Sequence, residues 1–316
     1  MVRIFDKIFP FQSAVPGAMR ALRFAGALAT VFVAVGVCAP AQAARKVSME
    51  AEAQARSAGE VRVMVVLRPT PAAMAAMAKG QRLYPRVDAD VGAVLRALPG
   101  AGAARVTRRF ARVPAFAMRA DMATLARLQR DPRVAKVDID PGGHVDAAQV
   151  DDASVLNQVH QLAELGVGGA GMTAAVIDSG IATRHTDFLG RIVGEQCFCS
   201  VGTGCCPNGS TSQSGAGSAE DDHGHGTNVA GIIGGAGTVA PRGALPQAQL
   251  IAVKVLDRSG RFNSTSDIVA ALDWLATQHP EVDAVNLSLG TDTLLSGDCD
   301  GNAAWTQALA IAVHNL

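Results

Sequence analysis

The chain has 316 residues, of which 49% are hydrophobic and 18% charged, so it can bury a large core and has room for about two domains. This composition excludes a disordered or fibrous protein. The formal net charge of zero argues against a nucleic-acid-binding protein, and we expect no nucleic-acid partner.

The zero net charge conceals a strong division along the chain. Residues 45–144 carry 18 Lys+Arg against 9 Asp+Glu, whereas residues 145–316 carry 6 against 18. The two parts therefore have net charges of +9 and −12. Complementary charge favours association, so we expect two units that attract each other, with a basic surface for some other partner as the alternative.

Residues 1–44 have the pattern of a secretory signal peptide. Arg20 and Arg23 precede the apolar stretch 24–37, and Ala41-Gln-Ala43 supplies a small-residue cleavage signal. No other apolar run approaches the roughly 20 residues of a membrane span. We therefore expect a secreted or periplasmic protein that has no membrane association once the signal is removed.

A first folded unit is predicted over residues 60–141, after a polar linker at 45–59. Strand-like runs cover 60–67, 105–110, 115–118 and 134–139. Helical periodicity covers 87–98, which ends at Pro99, and a second helix follows Asp121 as its cap. The order β-α-β-β-α-β predicts a small ferredoxin-like α+β domain. A Gly- and Ala-containing linker is expected at 142–152.

Residues 153–316 alternate helices with apolar strands, which is typical of an α/β domain with a parallel sheet. Strands are predicted at 172–177, 250–256 and 282–287, and Ser266-Asp267 is expected to cap a helix between the last two. Another amphipathic helix follows Asn302.

Five cysteines remain outside the signal peptide, and export makes disulfides available to them. Four lie close together, and the complete set is Cys197, Cys199, Cys205, Cys206 and Cys299. Their density would also suit a metal cluster, but the interval is rich in Gly and Ser and lacks a pair of His at finger spacing. We favour a disulfide-stapled surface loop, and the pairing stays open.

Two motifs carry the chemistry. Residues 172–181 read as a buried parallel strand that delivers Asp178 to its carboxyl end, where open α/β sheets place their sites. Residues 222–234 place His225 between two glycines at the start of a helix, with Val229, Ile232 and Ile233 as its expected buried face. A rigidly held histidine near a carboxylate suits a general base, whereas His223 has the pattern of a solvated loop residue.

The Asp-Ser-Gly turn and the His-Gly-Thr-x-Val-Ala-Gly helix start together resemble the subtilisin-like serine proteases, in order as well as in local sequence. Subtilisin itself carries its triad in the chain order Asp, His, Ser. The resemblance implies acyl transfer, with His225 accepting the proton of a serine and Asp178 fixing its tautomer. It also implies that Ser288, Leu289 and Gly290 flank a peptide or protein substrate opposite a wall near Gly260.

The family resemblance extends to residues 60–140, which are similar to the inhibitor propeptide of these proteases. In that family the propeptide acts as an intramolecular inhibitor, is cleaved from the catalytic domain, and leaves its tail in the cleft. Here the cleavage is expected between Gly142 and Asp152. The fold class is then an incomplete α/β subtilisin-like catalytic domain at 153–316, preceded by the ferredoxin-like unit.

One part of the family pattern is missing from the sequence. No Gly-Thr-Ser-Met-Ala-like turn occurs in the 316 residues, and the Asn that completes the oxyanion hole is absent as well. We expect a truncated, inactive protease precursor. The alternatives are a peptide-binding pseudo-protease and a non-functional gene fragment.

No cofactor is required by this chemistry, and calcium is the one ion that the resemblance suggests. Asp187 resembles a calcium ligand of family members, but residues 234–246 are too short to match their calcium loop.

Overall fold

The computed structural model describes residues 45–70, 88–98, 105–145, 161–162, 165–293, 295 and 299–316. The predicted signal peptide and residues 146–152 lie outside these ranges. Among the described residues, no helix is both long enough and apolar enough to cross a membrane.

The first sheet is built from the strands predicted between residues 60 and 141. Its strands are β1 (Val61–Leu67), β2 (Val106–Arg109), β3 (Ala115–Ala120) and β4 (Val134–Ile139), in the order β2-β3-β1-β4. All three pairings are antiparallel. Helices α2 (Asp88–Arg96) and α3 (Met122–Arg130) connect the strands in the predicted order, which gives the ferredoxin-like arrangement.

Asp121 caps α3 as predicted. Its carboxylate accepts the backbone N–H of Thr124 at 2.8 Å. Arg105 lies 2.6 Å away, and the hydrogen bond from this guanidinium, together with that from Thr124, lowers the pKa of Asp121 to about 2.

Residues 45–59 are not the polar linker that we expected. Helix α1 (Met49–Ala58) begins after Ser48, whose hydroxyl accepts the N–H of Ala51 at 3.2 Å. Ala51 and Ala55 are buried against the first sheet, and Val47 forms a bridge to Val137 in β4. Small residues spaced by four bring this otherwise charged helix close to the sheet, so the segment is part of the folded unit.

The second sheet has five strands. They are β6 (Thr173–Asp178), β7 (Ile192–Phe198), β8 (Ser212–Ser214), β9 (Gln249–Lys254) and β11 (Ala284–Leu287), in the order β11-β6-β9-β7-β8. Pairing is parallel except between β7 and β8, and β6 is fully buried. The predicted parallel α/β domain is thereby confirmed.

Three helices pack around this sheet: α4 (His225–Gly234), α5 (Thr265–Gln278) and α6 (Ala304–His314). Helix α5 begins after Ser264, two residues earlier than predicted, and is buried along most of its length. The buried face of α4 consists of Gly226, Ala230 and Gly234, whereas Ile232 is 49% exposed. Our expectation for α4 was therefore wrong at Ile232, whereas Val229 and Ile233 are partly buried against the core. Small residues at the fully buried positions let the helix approach the sheet more closely than Ile would.

The first sheet rests on α5 and α6, so the two halves share one core. Met64, Phe110 and Ala117 belong to the same buried cluster as Leu272 and Trp305. Polar contacts reinforce this packing: the carboxylate of Asp273 in α5 accepts the N–H groups of Ala111 at 2.6 Å and Arg112 at 2.7 Å.

Asp140 makes a second polar contact at the start of α5. It is 5% exposed and accepts the hydroxyl of Thr265 at 2.9 Å and both the N–H and the hydroxyl of Ser266, at 3.0 and 2.7 Å. The hydroxyl of Ser264 also donates to it. A carboxylate from the first unit thus caps a helix of the second.

A small third sheet joins the halves. Its strands are β5 (Gly143–Val145), β10 (Arg261–Phe262) and β12 (Leu289–Thr291), with β5 in the middle and antiparallel to both neighbours. The start of the expected linker at 142–152 is therefore a paired strand.

Candidate active site

Asp178 and His225 meet at the carboxyl edge of the second sheet. Asp178 is the last residue of β6, and His225 is the first residue of α4. His225 Nδ1 lies 2.7 Å from Asp178 Oδ1. Because an ionised carboxylate only accepts hydrogen bonds, Nδ1 carries the proton and Nε2 is left as the basic nitrogen. This is the orientation that a general base requires.

The environment of Asp178 opposes its ionisation. The side chain is fully buried, and burial raises the pKa of Asp178, although hydrogen bonds from His225 and from the Ser179 N–H at 2.7 Å act in the opposite direction. Its second oxygen, Oδ2, has no hydrogen-bond partner among the described residues. The imidazole is therefore a major stabiliser of the Asp178 charge.

Asp221 fixes the loop that carries His225. Its carboxylate accepts the hydroxyl of Ser179 at 2.8 Å, the N–H of Gly224 at 2.9 Å and the N–H of Thr227 at 3.0 Å. Burial alone would raise the pKa of Asp221, but these hydrogen bonds, with the Thr227 hydroxyl foremost, hold it below its usual value. Asp221 was not among the residues predicted from sequence, because its role depends on the contact with Ser179, 42 residues away in the chain.

Close backbone contact sets the distance between the two motifs. A Cβ on Gly226 would lie 2.1 Å from the carbonyl oxygen of Gly180, and the Gly226 N–H donates to the Ser179 hydroxyl at 2.9 Å. Gly224, which precedes His225, has a φ of +98°. Both glycines are thus needed to bring the start of α4 against the Asp-Ser-Gly turn.

Lys254 is a buried cation behind the same turn. It ends β9 opposite Asp178 in the register and is 1% exposed. Its ammonium group donates to the carbonyl oxygen of Ser179 at 2.8 Å and to Asp222 at 2.5 Å. Lys254 therefore ties the Asp178-Ser179 turn to β9 and to the loop that carries Asp222.

The cleft beside this pair is formed by β10 and β12, with β5 between them. Val145 N–H donates to the carbonyl oxygen of Gly260 at 2.9 Å. Val145 and His144 of β5 stand opposite Leu289 and Gly290 of β12. Three of the four predicted wall residues thus face a peptide strand, while the hydroxyl of Ser288 donates instead to Asn286 at 2.9 Å.

Strand β5 runs toward the Asp178–His225 pair. Val145 of β5 pairs with Leu289. Two residues before Leu289, Leu287 pairs with Ile177, the neighbour of Asp178, so Val145 lies close to the catalytic edge of the sheet. Gly260 is bordered both by the side chain of Val145 and by the ring of His223. His223 is exposed, as expected of a loop residue, and it lies at the end of the cleft nearest His225.

Neither Ser179 of the Asp178 motif nor Ser288 of the predicted substrate wall is placed as a nucleophile for His225. The Ser179 hydroxyl is engaged by Asp221 and the Gly226 N–H, and Ser288 is engaged by Asn286. The arrangement therefore holds a base and its orienting carboxylate.

Asp187 lies in the short 3₁₀ helix Thr186–Phe188, whose N-cap is His185, and is 2% exposed. Its carboxylate accepts the backbone N–H groups of Thr238 at 2.5 Å and Ala240 at 3.2 Å. Burial would raise the pKa of Asp187, but these bonds keep it below its usual value. No group of three His, Cys, Asp or Glu side chains suited to a metal occurs among the described residues. The Asp187 carboxylate is surrounded by backbone N–H donors, whereas a bound calcium ion would need further oxygen ligands. The surroundings of Asp187 therefore do not fit calcium, and calcium binding elsewhere stays a prediction.

The cysteine loop, which we define as residues 197–211, contains two disulfides. Cys197 is bonded to Cys206 and Cys199 to Cys205, while Cys299 lies outside both pairs. The expected stapled loop is confirmed, and its pairing is nested within ten residues of chain.

The fold and the site define a class: an α/β scaffold that holds a histidine hydrogen-bonded to a buried carboxylate, next to two strands that flank the chain's own β5. Comparison with known families gives the particular assignment. Residues 169–315 match the model of the subtilase family. This part of the chain is therefore similar to the subtilase family.

Known proteins similar to this chain include an extracellular serine proteinase, a subtilase-type proteinase and a subtilisin. The chain is 35% identical to an extracellular serine proteinase of Thermus sp. (strain Rt41A) over 173 residues, which are 52% of this chain and 38% of that protein. It is 33% identical to the subtilase-type proteinase psp3 of Schizosaccharomyces pombe, covering 60% of this chain and 41% of that protein. Subtilisin E of Bacillus subtilis is 29% identical over 78% of this chain and 56% of its own length. The chain thus spans between about two fifths and just over half of these relatives.

Proposed function

We propose that this chain is the precursor form of part of an exported subtilisin-like serine endopeptidase, with its inhibitory propeptide still in the cleft. The observation that carries the proposal is the pairing of β5 between β10 and β12, directed at an oriented Asp178–His225 pair. Backbone pairing of this kind recognises a peptide through its main chain and tolerates many side chains.

In the proposed reaction, His225 Nε2 accepts the proton of an attacking serine hydroxyl and returns it to the leaving amine. Asp178 holds the Nδ1 tautomer and stabilises the imidazolium that forms. The serine and the oxyanion-hole Asn are not within the 316 residues, since no matching turn occurs and Ser179 and Ser288 are otherwise engaged. We therefore expect these 316 residues alone to lack peptidase activity.

The first unit, residues 60–141, is proposed to act as the inhibitor. Its carboxylate Asp140 caps α5, and the chain then enters the cleft as β5. Since Val145 of β5 and the ring of His223 both border Gly260, the processing site is proposed to be one of the peptide bonds that follow Val145. Residues 1–44 are proposed to direct export.

Fluorophosphonate labelling tests the division of roles. The unmodified chain should show no covalent labelling of serine, whereas labelling of Ser179 or Ser288 would contradict the assignment. A chimera supplies the positive test: the part of the Thermus proteinase that follows its matched region is fused after Leu316. We expect self-cleavage after Val145, mapped by N-terminal sequencing, and no cleavage in the His225→Ala chimera.

A second candidate is a peptide-binding protein without hydrolysis, because the walls of the cleft hold a strand in the absence of a serine. The same chimera separates the two. A folded, trypsin-resistant chimera that neither cleaves itself nor reacts with fluorophosphonate would favour peptide binding.

A further inference from the structure

The cysteine loop meets the first unit at Arg108, in the edge strand β2. Arg108 Nη2 donates to the carbonyl oxygen of Thr211 at 2.7 Å, and its guanidinium lies 5.6 Å from the centre of the Phe198 ring. Only 12% of the Arg108 side chain is exposed. A basic residue of one unit is therefore desolvated against the loop of the other.

Asp267 of α5 binds both Arg108 and the cysteine loop. It is fully buried, and its Oδ1 accepts Arg108 Nε at 2.9 Å and Nη2 at 2.6 Å. Its Oδ2 accepts the N–H and the hydroxyl of Ser200 at 2.8 and 2.7 Å. The carboxylate thus needs partners from both the first unit and the cysteine loop. A buried charge that loses one partner is strongly destabilised.

The disulfides determine where Ser200 stands. Ser200 directly follows Cys199, whose bond to Cys205 closes a short ring, and the Cys197–Cys206 bond encloses that ring. The Ser200 carbonyl also accepts the side chain of Asn263, just before α5. Without the two cross-links, a Gly-rich loop would have to order Ser200 and Thr211 at a large entropic cost.

We propose that the oxidised cysteine loop is a recognition surface for Arg108, so that disulfide formation strengthens the hold of residues 60–145 on the catalytic part. Arg108 is thereby a specificity determinant for the pairing of the two units. Calling this pairing inhibitory rests on the proposed function. The contact itself can be measured without any hydrolysis, so the two proposals fail separately.

Hydrogen–deuterium exchange of the full chain, read by mass spectrometry, tests this inference. Dithiothreitol reduces each disulfide to two thiols and is itself oxidised to its cyclic disulfide. Exchange at amides 106–109 should rise about tenfold on reduction, because β2 loses the ordered surface that holds Arg108. Amides 173–178 of β6 should keep their protection.

Variants separate Arg108 from general effects. Arg108→Met should raise exchange at 106–109 in the oxidised chain and abolish the response to reduction. Ser200→Ala, which leaves β2 and all cysteines intact, should also raise the exchange at amides 106–109 of the oxidised chain. Arg109→Met, a change at the exposed neighbour, should behave as the unaltered chain.

Two results would overturn the inference. One is exchange at amides 106–109 that stays unchanged in Arg108→Met. The same holds if this exchange stays unchanged in the unaltered chain after mass measurement shows that both disulfides are reduced. The other is an equal rise at 173–178, which would mean general loosening and not a specific surface.

Discussion

At the scale of single residues, the site depends on side chains that hold the two motifs as much as on the motifs themselves. Asp178 and His225 could be found from sequence because glycines and apolar runs around them are local signals. Asp221 and Lys254 could not be placed with equal ease, since their roles depend on where two strand ends meet in space. Asp187 illustrates the limit: its sequence context suggested a metal ligand, yet its carboxylate holds backbone amides.

Asp187→Ala should destabilise the protein by about 1–3 kcal/mol, because buried N–H groups of the 238–240 loop lose their acceptor. Asp187→Asn, which retains one acceptor oxygen, should cost less. Thermal unfolding measures both.

The same measurement tests pH and metal dependence. Because the pKa of Asp187 is lowered in the folded protein, its carboxylate stabilises the fold above the usual pKa of an Asp. This stabilisation is lost as the pH falls below that value. Because the Asp187 carboxylate is bonded to backbone N–H groups, calcium and EDTA should shift the unfolding midpoint of Asp187→Ala by as much as that of the unaltered chain. A rise of the midpoint with calcium that occurs in the unaltered chain and is lost in Asp187→Ala would show that this residue binds the ion.

At the scale of elements, apolar runs and caps were sufficient to predict most helices and strands. They failed where packing between distant segments decided the outcome. Helix α1 is polar by composition and is held by two buried alanines, and α4 turns its glycines and Ala230 inward. Strand β5 is the clearest example, since three residues that read as a linker become a strand only because two strands flank them.

Gly143→Ala should expel β5 from the cleft. A Cβ at this position would lie 2.1 Å from the carbonyl oxygen of Gly290 and 2.6 Å from the ring of Phe262. Limited proteolysis, mapped by mass spectrometry, should then show faster cutting near residues 142–146.

His144→Ala is the matched control in the same strand. It leaves the backbone ladder intact, so its proteolysis should resemble that of the unaltered chain. Equal cutting in both variants would contradict the close packing of Gly143.

At the scale of the whole molecule, the charge division agrees with the observed contacts between the halves. Arg108 pairs with Asp267, and Lys136 donates to the carbonyl oxygen of Gly301 at 2.7 Å. Attraction could be expected from the sequence. Two further carboxylates that bind across the halves, Asp140 and Asp273, could not, because their partners lie more than a hundred residues away in sequence.

Asp140→Ala should lower the free energy of unfolding of the full chain by about 2–4 kcal/mol, because Thr265 and Ser266 lose a shared buried acceptor. Asp138→Ala, two residues earlier, removes an acceptor whose one hydrogen bond among the described residues comes from the N–H of its neighbour Ile139, and it should have a small effect. Urea unfolding compares the two. Equal destabilisation by both would contradict a specific role for Asp140 in joining the halves.

The central claim is that Asp178 orients His225 as a base beside the cleft. Nitrogen-edited proton NMR of the full chain, with ¹⁵N-labelled histidine, tests it most directly. We predict a low-field proton on His225 Nδ1, assigned by its loss in His225→Ala, that is also lost in Asp178→Ala but kept in His223→Ala. A Nδ1 proton signal that persists in Asp178→Ala, or a His225 protonated on Nε2 alone in the unaltered chain, would contradict the account.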